Sequence, residues 1–210
     1  MAHSKMPAPS FAPRVARCRQ RLVPQSFYRR DPRVVAPDLL NKILVAADGR
    51  SGRIVEVEAY CGAEDPAAHT YRGKTARNAT MFGPPGHLYV YFTYGMHWCA
   101  NTVCAEEGIG AGVLLRALDP ESGLDAMRAA RPAAKRDRDL CSGPGRLTQA
   151  FGIVGAHDGI ALYTGRAPFA IVDDGMPPPL GLVGTPRIGI SRAVERPWRW
   201  FVPGNAHVSK

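Results

Sequence analysis

Strict alternation of apolar and polar residues marks two stretches of the chain as half-buried strands. In GRIVEVEAY, Arg53, Val55, Val57 and Ala59 fall on one face while Ile54, Glu56, Glu58 and Tyr60 fall on the other. In HLYVYFTYGM, His87, Tyr89, Tyr91 and Thr93 point one way and Leu88, Val90, Phe92 and Tyr94 the other. Two carboxylates on one sheet face need a reason, because buried charge is costly unless paired. KILVAA precedes the first stretch, and Asp48-Gly49 between them predicts a tight hairpin turn with positive backbone angles. WCANTVC, GVLLRAL, IALYT, PFAIVD, RIGIS and PWRWFV read as further strands.

Helical spacing occurs where prolines and caps permit it. Asp31 offers an N-cap, Pro32 a first helical residue, and Val34, Val35, Leu39 and Leu40 follow at helical intervals, with Pro37 limiting the regularity. Glu64-Asp65-Pro66 starts a short turn or helix carrying His69, and TYRGKTARNATMF follows, with a cap candidate at Thr75. A helix with Leu124 and Met127 stops at Pro132, and Ser142 to Gly152 forms another, with Pro144 near its start. The glycine-rich entry to that second helix suits either a bound phosphate or a plain tight turn. Residues 128 to 139 mix both charge signs and read as a solvated loop. Strands joined mostly by hairpin-length turns, with few helices between, predict a mixed α/β (α+β) domain with a largely antiparallel sheet.

Composition narrows this picture. At 210 residues one domain is expected, and no apolar run approaches the roughly 18 residues of a membrane span, so a soluble protein is expected. The net charge of +9 favours a polyanionic partner, although nucleic acid, an anionic membrane or an acidic protein would each fit the sum. Most of the excess lies before residue 34, where eight basic residues face the single acid Asp31. Residues 1–24 read as a disordered basic arm that tracks phosphates, or as a leader, an organellar transit peptide included; 25–206 form the folded domain. Cys18, Cys61, Cys99, Cys104 and Cys141 make an odd count with no CxxC pair, which argues against a disulfide framework and a structural zinc, and for a reducing, intracellular location.

Four blocks give the chemistry its shape: GRIVEVEAYCGAEDPAAH, RNATMFGPPGHLYVYFTYGMHWCAN, GVLLRALDP and LCSGPGRLTQAFGI. In order and spacing they resemble the alkyladenine (3-methyladenine) DNA glycosylases that lack a helix-hairpin-helix. The resemblance covers most of Phe27 to Val202. It implies a single compact domain around a curved antiparallel sheet, acting as a monomer without cofactor or metal on double-stranded DNA that contains damaged purines. By the same resemblance Tyr60, His69 and Tyr91 would sandwich a flipped base, the chain around His69 would hydrogen-bond its edge, and Asn101 would narrow the pocket floor against guanine's amino group. Tyr94 would wedge into the duplex, supported by Met96. Glu58, in the E-A-Y that ends the strand, would deprotonate the attacking water and stabilise the cationic sugar, and Arg116 would position both.

The residues taken singly allow plainer roles. Tyrosines pack ordinary sheets, Asn101 suits a buried amide, and Arg116 could hold the sheet face through Glu56 as readily as through Glu58. Two other function classes therefore stand beside the glycosylase: a damage- or RNA-binding module without catalysis, and a metal hydrolase using His69, His87 and His97 with Glu58. The histidines lack an HExxH-type spacing.

Overall fold

The computed structural model describes residues 20–93 and 95–209; the basic stretch to residue 19, Tyr94 and Lys210 lie outside the described residues. Eight strands build one sheet: β1 (Arg21–Leu22), β2 (Ile43–Ala46), β3 (Ser51–Cys61), β4 (Leu88–Thr93), β5 (His97–Cys104), β6 (Ala111–Ser122), β7 (Phe169–Asp173) and β8 (Arg199–Phe201). They lie in the order β1-β7-β2-β3-β6-β5-β4, with β8 also beside β3, and the pairings are antiparallel throughout. Helices α1 (Gln25–Tyr28), α2 (Pro32–Leu39), α3 (Leu124–Ala130) and α4 (Pro144–Phe151) complete a mixed α/β domain around this curved sheet. Among the described residues no helix is long and apolar enough to cross a membrane.

β3 is the spine. One edge pairs with β6 from end to end, and the other takes β2 near its start and β8 at Glu56–Glu58. The register against β6 shifts on either side of Glu56, so the alternation is broken by a bulge. Ile54 consequently joins Val57 and Ala59 in the main core, not the face of Glu56, Glu58 and Tyr60 to which simple alternation assigned it. β4 keeps its period: Leu88 and Val90 enter the core while Tyr89 and Tyr91 turn to the other face.

The helices close the core from the apolar side. In α2 the Asp31 side chain accepts the Arg33 amide at 2.7 Å, and Val35, Ala36 and Leu39 are buried, whereas Val34 turns to solvent. α4 begins on Pro144 and stops at Gly152, whose φ of 69° only glycine adopts cheaply, and it buries Leu147, Ala150 and Phe151. Each such fully buried Leu or Phe contributes roughly 1.5–3 kcal/mol.

Three local readings change. Of Asp48-Gly49 only Gly49 takes a positive φ (93°), and the connection runs over four residues between Ala46 and Ser51, wider than a two-residue turn. IALYT makes a single bridge, His87 to Ala161, because the chain turns at Gly159 (φ 82°) and again at Leu162. RIGIS is an irregular loop: the Ile188 amide is spent on a carboxylate, and Gly189 at φ 76° leaves the extended region. At the other end of the chain, Arg21–Leu22 pair with β7 and Val23 enters the core, so the sheet takes in the last residues of the stretch read as an arm.

Candidate active site

One row of cross-strand neighbours runs over four strands: Glu58 opposite Leu114, Leu114 opposite Asn101, and Asn101 opposite Tyr89. The row places a carboxylate from β3 and an aromatic ring from β4 on the same face. Above it opens a cavity of about 410 Å3, lined by Tyr60, His69, Tyr89, Tyr91, Asn101 and Arg116 together with the loop from Ile188 to Arg192. Tyr60, His69, Tyr91 and Asn101, singled out in the sequence, thus share one cavity. Tyr89 belongs with them; its position on the Tyr91 face of β4 was the signal for it.

The aromatic wall is continuous. Tyr89 and Tyr91 stack at 5.3 Å between centroids, and His69 meets Tyr91 edge-on at 4.4 Å. The Tyr60 ring carries the Arg187 guanidinium 4.6 Å from its centre. His69 is held by its own loop: Asp65 accepts the Ala67 amide at 3.1 Å, and Asn78 donates to the carbonyls of His69 and Gly73 at 3.0 and 3.1 Å. Desolvation of the ring, then the nearby Arg77 guanidinium, lowers the His69 pKa, so the imidazole is neutral near pH 7. Burial pushes the Tyr91 phenol far up, and it stays neutral too. The wall is uncharged and faces the cavity with π surface.

Behind it lies a buried ion network. Glu58 is fully buried: Oε1 takes the Arg116 Nη1 at 3.1 Å and the Ile188 amide at 2.7 Å, and Oε2 takes the Tyr60 hydroxyl at 2.9 Å. Its carboxylate does not line the cavity, but Tyr60, Arg116 and Ile188 all do. Burial raises the Glu58 pKa above the ordinary glutamate range, and Arg116, the Ile188 amide and Tyr60 only partly offset it. Glu56 is buried equally, and burial acts to raise it as well. There Arg116, helped by Ser209 and Arg199, wins, and its pKa falls below the ordinary range. Arg116 therefore serves both carboxylates at once, with Nε 2.9 Å from Glu56, and the two alternatives left open by the sequence coexist.

A second buried pair fixes the loop. Arg187 forks onto Asp65 at 2.5 and 2.8 Å and donates to the Ala59 carbonyl at 2.9 Å, tying the residue before Ile188 to the end of β3. Nothing in the local pattern of either residue announced this pairing across 122 positions. Met96 is exposed at the tip of the β4–β5 hairpin, where Gly95 (φ 65°) reverses the chain; Tyr94 lies outside the described residues. The three histidines do not converge: His69 lines the cavity, His87 reaches the Pro84 carbonyl and the Tyr163 ring, and His97 packs on Gly145.

The family model for methylpurine-DNA glycosylase matches residues 26–206. A relative from Burkholderia cenocepacia (strain HI2424), named "Putative 3-methyladenine DNA glycosylase", is 69% identical over 188 residues, covering 90% of this chain and 91% of the relative. Relatives bearing the same name from Rhodopseudomonas palustris (strain BisB5) and Koribacter versatilis (strain Ellin345) are 48% and 46% identical, covering 100% and 89% of this chain and 98% and 92% of their own lengths. With a match of this extent over the strands, helices and loop that form the cavity, the chain belongs to the methylpurine-DNA glycosylase family.

Proposed function

We propose that this chain is a hydrolase of N-glycosyl bonds that removes alkylated purines from duplex DNA by water attack and leaves an abasic site. The observation that carries the reading is the buried Glu58 carboxylate, bridged to the cavity by Arg116 and Tyr60. A base within a duplex cannot present its glycosidic bond, so the nucleotide is flipped into the cavity. The base lies between Tyr60 and the His69–Tyr91 wall, and Asn101 at the floor disfavours the exocyclic amine of a normal guanine, a penalty that the cationic charge of 7-methylguanine offsets. Tyr94 fills the gap left in the duplex, supported by Met96, which is exposed.

Glu58 accepts the water's proton while its charge opposes the positive sugar of an oxocarbenium-like transition state. Its raised pKa makes it a stronger base than a solvated glutamate. Among the described residues Oε2 receives only the Tyr60 hydroxyl, and a carboxylate oxygen has a second lone pair for water. A purine alkylated at N3 or N7 is cationic, which weakens the glycosidic bond and draws the ring to tyrosine faces, worth up to about 2 kcal/mol when desolvated. 3-Methyladenine and 7-methylguanine are therefore the expected substrates, with neutral hypoxanthine and ethenoadenine slower.

Beside the base cavity a second one of about 630 Å3 shares Arg116 and Pro144 with it and is lined by Arg131, Arg136, Arg138 and Arg146. That excess of guanidinium supports a duplex backbone running past the flipped nucleotide. The test is incubation with a duplex carrying one 7-methylguanine. Free base and an intact abasic strand are expected; a borohydride-trapped covalent adduct would replace water by an enzyme nucleophile, and binding without base release would leave a damage-binding module.

A further inference from the structure

Arg116 spends each guanidinium nitrogen on a different partner. Nε donates to Glu56 at 2.9 Å, Nη1 reaches Glu58 at 3.1 Å, and Nη2 donates to the Ser209 hydroxyl at 3.1 Å. An arginine beside a carboxylate frequently closes a two-bond fork on it. Here that fork on Glu56 is blocked, because the Ser209 amide occupies Oε2 at 2.7 Å and its hydroxyl donates to Oε1 at 2.9 Å. A hydroxyl has one proton; with that proton given to Glu56, the lone pairs of the Ser209 Oγ receive Nη2.

The segment that delivers Ser209 is anchored to β6, the strand that carries Arg116. Asp119 of β6 accepts from the Asn205 side chain at 3.0 Å and lies 3.2 Å from His207, and the His207 amide closes onto the Asn205 carbonyl oxygen of the side chain at 2.8 Å. Ser209 itself is largely buried. It lies beyond residues 26–206, the part matched by the family model.

We propose that Ser209 is a positioning residue, which holds Arg116 as a bridge between two carboxylates, with Nη1 on Glu58, and keeps it from forking onto Glu56. The proposal rests on the reading of Glu58 as the base. Without the hydroxyl, Nη2 loses its acceptor and Glu56 Oε1 loses one of its donors, while the Ser209 amide stays on Oε2; Nη2 then turns to the vacated side of Oε1, and Nη1 leaves Glu58. The charged and titratable groups facing Glu58 are Arg116 from β6, Glu56 and Tyr60 from its own strand, Cys99 from β5 and Arg187 from the loop. Of these, Arg116 and Glu56 touch Ser209. Arg116 lowers the Glu58 pKa, so its withdrawal raises it and moves the acid limb of cleavage to higher pH.

The test compares the full chain with Ser209→Ala and Ser209→Thr. Three quantities are read: single-turnover release of 7-methylguanine against pH, affinity for an abasic-analogue duplex, and the Glu58 carboxyl titration followed by carbon NMR. Ser209→Ala is expected to slow cleavage on the order of tenfold or more at unchanged affinity, and to shift both the acid limb and the Glu58 titration upward. Ser209→Thr, which keeps the hydroxyl, should restore all three. Should the alanine variant not fold, Ser209→Cys weakens the acceptor while keeping the shape and gives the same readings. A Glu58 titration unmoved in Ser209→Ala overturns the proposal whatever the rate does, and leaves Ser209 a packing residue. A titration that moves in a protein that releases no base upholds the positioning role and instead removes the reading of Glu58 as base.

Discussion

Glu56 and Glu58 sit two residues apart on one strand, both without solvent exposure and both beside Arg116, yet their acidities move in opposite directions. Glu56 accepts four hydrogen bonds, two of them from arginines. Glu58 shares one arginine and otherwise leans on a backbone amide and a phenol at the cavity side. Burial acts to raise both, and the partners decide the sign: Arg116, Ser209 and Arg199 outweigh burial at Glu56, whereas Arg116, the Ile188 amide and Tyr60 do not at Glu58. One carboxylate holds two arginines; the other is left with a pKa above that of glutamate in water, as the proposed role of base requires.

The largest effect should separate them by activity. Glu58→Gln is expected to lose single-turnover cleavage by about a thousandfold or more while keeping its grip on an abasic-analogue duplex and its melting temperature. Near-normal cleavage would move the base to Glu56 and erase the contrast. Next comes stability. Glu56→Gln strips Arg116 and Arg199 of their shared counter-charge, and chemical denaturation should show a loss of about 3–5 kcal/mol, the usual cost of breaking a buried pair. A loss of that size in Glu58→Gln but not in Glu56→Gln would invert the assignment.

The smallest effect is in pH, and its sign differs between the two. Glu56, with its folded pKa lowered, contributes stability above its unfolded pKa that disappears as pH falls through the folded value. Glu58, with its folded pKa raised, contributes below its unfolded pKa and loses that contribution as pH rises through the folded value. Denaturation midpoints should therefore fall less in Glu56→Gln than in the unaltered chain on acidification from about pH 5 to about pH 3, and less in Glu58→Gln on raising the pH from about 4 to about 7. Parallel profiles for all three proteins would show the two carboxylates to be equivalent.

The parts of this site legible in the sequence are those set by short-range periodicity. The two-residue repeat of β4 placed Tyr91 with Tyr89 and away from Leu88 and Val90, and Pro144 and Gly152 bounded α4. The repeat of β3 placed Glu58 and Tyr60 on one face but misplaced Ile54, because a bulge depends on what the neighbouring strand does. Long-range pairing left no local trace. Asp65 and Arg187 meet across 122 positions and Glu56 and Ser209 across 153, and neither the turn read around Asp65, the strand read through Arg187 nor the sheet face read for Glu56 names its partner. RIGIS misled for the same reason: its apolar alternation looks like a strand until the Ile188 amide is seen to bind a carboxylate.

The distance in sequence between Glu56 and Ser209 also has a meaning in time. Translation proceeds from the amino end, so the strand that bears both glutamates leaves the ribosome long before the serine that completes their network. Until then the nascent sheet holds Arg116 against Glu56 with an amide and a hydroxyl missing. Contacts this far apart in the chain close late in folding, after the local hairpins. A ribosome stalled before residue 209 has emerged would thus display the strands and the aromatic residues of the cavity, but not the serine that holds Arg116 between the two carboxylates.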